Sequence, residues 1–162
     1  GLHKARLRSL VERVFSMLRR VGFWLIGVVA VAVALPWVAY WVGLSRVSHL
    51  PLPAPQAVTP DQREWVWNLA KASGARAVEP LTPFSYLYDM VSLKVQNDGS
   101  RRVIGWVASD HLINQGEDLR MFWWHLSTAS LSIWLSRNWT DQQITAAAFV
   151  ALQHRGEVYG GG

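Results

Sequence analysis

The run from Val21 to Ser45, VGFWLIGVVAVAVALPWVAYWVGLS, holds 25 consecutive residues without a formal charge. At about 1.5 Å per residue, a helix of that length reaches roughly 37 Å, enough to cross a hydrocarbon core of about 30 Å with some tilt. A buried core helix rarely needs so long an apolar run on every side, and the apolar region of a signal peptide is shorter. The stretch therefore predicts one transmembrane helix over residues 21–45, with the lipid bilayer as a partner.

Charge orients that span. Residues 1 to 20 carry Lys4, Arg6, Arg8, Arg13, Arg19 and Arg20 against Glu12 alone, leaving ten basic and ten acidic residues in the rest of the chain. The net charge of +5 thus lies entirely before the apolar run. Basic residues beside a span stay on the cytoplasmic side, so everything after Arg46 is expected outside. The basic pI reads as a topology signal rather than as a nucleic-acid footprint, and no nucleic-acid partner is expected. Trp24 near one end and Trp37, Tyr40 and Trp41 near the other match the aromatic belts of the two membrane interfaces. Pro36 is expected to bend the helix. Ala30 with Ala34, and Ala39 with Gly43, are small-residue pairs of the kind that admit a neighbouring helix.

Before the span, Leu7, Leu10, Val11, Val14, Phe15 and Leu18 recur at helical spacing among the arginines. Residues 1–20 read either as a basic amphipathic helix on the inner leaflet or as a cytoplasmic extension of the membrane helix. The chain opens on Gly1 rather than Met, which suggests a trimmed or incomplete start, and Tyr159 to Gly162 reads as a disordered tail or an interrupted domain. After the span, Pro51, Pro53, Pro55 and Pro60 predict an extended spacer over residues 46–60 that lifts the following domain off the membrane.

Residues 61–159 predict a mainly α-helical extracytoplasmic domain with one modest core. Thr59, Pro60 and Gln62 form a helix start with a capping box, and Gly74 a stop after about Ser73. A loop over 75–83 precedes a helix from about Pro83 to Gln96, with Phe84, Leu87, Tyr88, Val91 and Val95 on one face. Asn97 to Ser100 is a turn. Residues 102–107 alternate like a short strand, although a helix from Arg101 to about Asn114 fits equally. Glu117 to Arg137 is a helix with a stripe of Leu119, Phe122, Trp123, Leu126, Ile133 and Trp134. Thr140 with Gln143 starts the last helix, which runs to about Gln153.

Chemical motifs are few. His3, His49, His111, His125 and His154 show no metal-ligand spacing, and neither a metal nor a cofactor is expected. Asp110-His111 with Ser127, Ser130, Ser132 and Ser136 suggests a hydrolase triad, yet no nucleophile elbow accompanies it, and serines on a helix usually allow close packing. Chain-wide, ten tryptophans are many for 162 residues. Trp67, Trp106 and Trp124 are hard to seat together in one small core, so Trp106, Trp123 and Trp124 become candidate interface residues.

One segment resembles a known family. LSIWLSRNWTDQQITAAAFV, Leu131 to Val150, is similar to a helix pair in the membrane-anchored peptidoglycan glycosyltransferases, the transglycosylase domain of penicillin-binding proteins. Their pattern there runs roughly L-A-x-x-L-E-R-x-Y-S-K-D-E-I-L-E-x-Y-L-N. Leu135, Arg137, Trp139, Thr140, Gln143, Ile144, Phe149 and Val150 occupy matching or similar positions. Ile104 to Leu126 falls on the family's S-T-I-T-Q-Q-L-A-K-N stretch and the helix after it, and Val158 to Gly162 resembles Y-F-G-x-G. The resemblance covers about 60 residues and implies a single N-terminal anchor, a bacterial inner-membrane location with the domain periplasmic, and a peptidoglycan precursor as candidate ligand.

The departures fall on the chemistry. The family's E-D-x-x-F motif is missing, and Glu64 beside Trp65 is the one weak candidate for its glutamate. Ser136 stands where the second glutamate would be, Asp141 where the family has lysine, and Ala108 and Ser109 where it has a Gln pair. A hydroxyl does not replace a general-base carboxylate, and an aspartate does not hold a phosphate. The resemblance therefore implies a catalytically dead domain, an accessory or scaffold subunit of a cell-envelope complex working with other membrane or periplasmic proteins. The alternatives are a divergent working glycosyltransferase and a helical subunit of a secretion or conjugation complex.

Overall fold

The computed structural model describes residues 2–74, 76–92, 98–116 and 120–160, with side chains from Arg13 onward except Val14. The described residues form helices α1 (Leu2–Ser45), α2 (Pro60–Leu69), α3 (Pro83–Val91), α4 (Gly99–Asn114), α5 (Met121–Asn138) and α6 (Asp141–His154), with no strand among them. The chain is mainly α, and the ambiguous residues 102–107 lie within α4.

Two compact units divide it, residues 1–37 and 38–162. The first is helix alone, so residues 1–20 continue into the apolar run without a break. The segment Phe15–Ser45 is long and apolar enough to cross a membrane. Trp24 is 78% exposed, and Phe23, Leu25 and Ile26 are exposed around it. An apolar surface on all sides is stable only in an apolar surround.

The second unit begins inside α1. Tyr40 and Val47 are buried, and Leu44 packs on the main core. Gly43 explains how the helix comes so close. A Cβ there would fall 2.2 Å from Ser130 Oγ and 2.7 Å from the Leu126 carbonyl oxygen. With only hydrogen in that place, Ser127 Oγ donates to the Gly43 carbonyl at 3.1 Å. The small residue expected to admit another helix therefore admits α5 of the same chain.

The core is built by α4, α5 and α6, with α2 on α6 and α4, and α3 on α5. Val103, Ile104, Val107, Leu112, Leu131, Leu135, Ile144 and Leu152 fill it. On α5 the inward face differs from the expected stripe. Ser127, Ser130, Ser132 and Ser136 are buried, while Phe122 is 68% exposed. Ser127 and Ser130 are short where Gly43 of α1 comes close, and Ser136 is buried elsewhere on the helix against Leu81. Ser132 and Ser136 return their hydroxyls to backbone carbonyls of their own helix, which lets polar residues line a core.

The helix starts follow the sequence. Thr59 and Thr140 each accept the N–H of the residue three on, and Gln62 and Gln143 return the bond. Thr82 with Ser85 forms a third reciprocal cap, with Pro83 at the first helical position. α2 stops at Leu69 rather than Ser73, because Lys71 takes φ +53° and turns the chain over. That is a left-handed position filled without glycine. α3 stops at Val91, and the expected continuation through residues 93–96 lies outside the described residues, as do Leu119 and the 117–119 start expected for α5.

Residues 46–60 are non-helical up to the α2 cap, as the prolines require. They lie along the helices of the second unit rather than standing clear of them. Pro51 is buried, and the His49 carbonyl lies 2.6 Å from both His111 Nε2 and Gln115 Nε2. Further along, Ala54 and Pro55 line a cavity of about 250 Å³ against Val107, His111 and Trp139.

Candidate functional site

The residues at the family-like positions converge on one segment, 76–82. Ser136, on the last turn of α5, accepts the Leu81 N–H at 2.9 Å and donates to the Ile133 carbonyl at 2.8 Å. Next to it, Arg137 Nη1 donates to the Leu81 carbonyl at 3.3 Å. Asp141, in the first turn of α6, accepts the Val78 N–H at 2.8 Å. Its charge also suits the positive end of that helix. Glu64 on α2 reaches the same segment from the other side, 3.7 Å from Arg76 Nη1, with 61% of its side chain exposed. Arg63 donates to the Arg76 carbonyl at 2.7 Å, and Arg76 to Asn68 Oδ1 at 2.9 Å.

Ser136 and Asp141 thus clamp a loop. Ser136 both accepts and donates and is buried, so its hydroxyl is fully used, and one carboxylate oxygen of Asp141 is taken by a backbone N–H. Leaving the buried Leu81 N–H without a partner would cost about 1–3 kcal/mol, so the hydroxyl has a sufficient structural reason to be there. Glu64 is a solvated surface carboxylate in a loose ion pair.

Under this segment lies a cavity of about 230 Å³ between the loop and the start of α4, lined by Glu79, Asp98, Ser100 and Arg101 among others. Arg101 is nine-tenths buried, ion-paired with Asp89 of α3, and its Nε lies 4.0 Å from Asp98 Oδ2. Its charge also lies 6.0 Å from the ring of Tyr86. Burial pushes the Tyr86 phenol up, and Arg101 pulls against that shift. The lining holds two carboxylates, Glu79 and Asp98, and one guanidinium already paired with Asp89, a balance that does not suit a pyrophosphate.

The serine-histidine reading finds other partners. Asp110 meets His154, Nδ1 to Oδ2 at 3.1 Å, rather than its neighbour His111. Ser109 Oγ donates to the Gly105 carbonyl at 2.7 Å and receives Arg155 Nη2 at 2.5 Å. The four α5 serines lie on the buried helix face.

The tryptophans fall into the core more fully than their number suggested. Trp67 is fully buried, with Arg63 6.0 Å from its ring. Trp106 and Trp124 are half-buried and pack on the core. Trp123 is half-buried with the Arg46 guanidinium 4.5 Å from its ring centroid. Among the belt residues, Trp41 is 62% exposed and Trp37 partly buried. Tyr40 is inside the second unit, its ring edge-on to Trp41 at 5.0 Å. Sequence reasoning missed the Asp89–Arg101 pair and both loop clamps. No local spacing announces contacts between residues 55 and 63 positions apart.

Comparison of the chain with protein-family models, with curated proteins and with solved structures gives no match.

Proposed function

We propose that this is a single-pass inner-membrane protein whose helical unit stands outside the cytoplasm and serves as a non-catalytic accessory or scaffold subunit of a cell-envelope complex, similar in plan to a peptidoglycan glycosyltransferase. The apolar helix supports the anchor, and the +5 concentrated before it supports the orientation. The observation that carries the non-catalytic reading is the use of Ser136 and Asp141 as backbone clamps, where the resembling family places a carboxylate and a cation. Glu64, the remaining carboxylate, faces solvent beside Arg76.

General acid–base assistance is worth about a hundred- to ten-thousand-fold, and charge stabilisation of the leaving group adds a comparable amount. A domain without either works near background. The test is polymerisation of a labelled lipid-linked disaccharide by the purified full-length protein, with Glu64→Gln alongside. The expected outcome is no polymer above background from either. Turnover by the wild-type chain overturns the reading, and its loss in Glu64→Gln would make that carboxylate catalytic.

A further inference from the structure

Helix α3 is built inside out. Phe84, Leu87, Tyr88 and Val91 follow the i, i+3, i+4, i+7 spacing of a core face, yet they are 41%, 42%, 64% and 82% exposed, with Met90 at 54% beside them. The side turned to the protein carries the polar groups. Asp89 pairs there with Arg101, and their side chains are only 18% and 10% exposed. Ser85 closes the cap on Thr82, and Tyr86 is half-buried against Arg101. A helix in water stabilises itself the other way round, so this face calls for an apolar surround.

Its place in the second unit says which surround. The outer turns of α1 and the helix α5 run in opposite directions. Arg46 meets Trp123, and Gly43 meets Leu126 and Ser130. The C-terminal end of α5 therefore lies on the Tyr40 side of Gly43, at the level of the charge-free run. Ser136 and Arg137, at that same end, hold Leu81 immediately before α3 begins. The exposed apolar face of α3 thus starts at the end of α5 that lies on the Tyr40 side of Gly43.

We propose that α3 lies in the interface of the bilayer that α1 spans, with Phe84, Leu87, Tyr88 and Val91 turned to the acyl chains. This rests on the membrane-spanning reading of α1. Lipid is the occupant because the face starts on the side of the unit that holds the last turns of α1, which belong to the charge-free run, and Tyr88 carries the amphipathic ring suited to a headgroup boundary. The ion pair of Asp89 with Arg101 then acts as a peg that sets the rotation of α3. It fixes the polar side inward and leaves the apolar side no choice but outward.

The chain has no cysteine, so single replacements can be read without background. Val31→Cys in the span, Leu87→Cys and Val91→Cys on α3, and Gln153→Cys at the end of α6 are each spin-labelled in the full-length protein, in liposomes of phosphatidylethanolamine and phosphatidylglycerol. Accessibility to oxygen, which concentrates in lipid, is compared with accessibility to a water-soluble nickel chelate. The expected result is oxygen-dominated relaxation at 31, 87 and 91, and nickel-dominated relaxation at 153. Lipid exposure at 31 with water exposure at 87 and 91 overturns the α3 proposal and leaves the span standing. Water exposure at 31 overturns the span, and the proposal with it. Shielding of 87 and 91 from both reagents means that another protein surface covers the face, which also overturns it.

Discussion

Ser136 shows how one residue type can be legible and its purpose hidden. From sequence it is a missing glutamate, whereas in the fold it holds the Leu81 N–H at 2.9 Å. Ser136→Ala is expected to destabilise the second unit by about 1–3 kcal/mol, the cost of a buried donor without a partner. Thermal unfolding followed by circular dichroism checks this, and an unchanged midpoint would remove the clamp from the account. Tyr86 offers a second residue-scale test, since its phenol is raised above the ordinary value of 10.0 by burial. The folded state therefore keeps a proton that the unfolded state has lost. That contribution is complete below pH 10 and fades as pH rises through the folded value. Phenolate absorbance of the wild type minus that of Tyr86→Phe should rise with a midpoint above 10, and a difference curve at or below 10 would show that Tyr86 is not buried.

At the scale of elements, the starts were legible and the faces were not. Thr59 with Gln62 and Thr140 with Gln143 declare their helices because a cap is a local bond between residues three apart. The end of α2 escaped because Lys71 adopts a conformation usually left to glycine. The serine face of α5 escaped for a different reason. Ser127 and Ser130 are covered at Gly43, more than 80 positions away, and short-range periodicity does not report a close approach of that kind. The same contact makes a prediction: Gly43→Val places carbon 2.2 Å from Ser130 Oγ, so α1 and α5 must separate. Overpacking of this sort costs about 1–3 kcal/mol. A double variant with Ser130→Gly should recover part of the loss in the same unfolding measurement, because the first atom in the way is the serine hydroxyl, although the Leu126 carbonyl at 2.7 Å remains. No recovery at all would mean that the close approach is not the cause.

For the whole molecule, the second compact unit takes in the last turns of α1 as well as the helices after it. The compact unit reaches back to Val38, and Tyr40, Leu44 and Val47 contribute to its burial. The proline-rich stretch, read as a spacer for its composition, instead lies against α4 and α6, since extended backbone without helix can follow a groove as well as bridge a gap.

All of this depends on the basic end of the chain and the helical unit lying on opposite sides of a membrane. The direct measurement is labelling of single-cysteine variants in intact cells with a membrane-impermeant maleimide, followed by labelling after permeabilisation. Gln153→Cys, at an exposed position on α6, is expected to label in intact cells, while Arg8→Cys is expected to label only after permeabilisation. Protection of position 153 in intact cells, or labelling of position 8 there, would contradict the account.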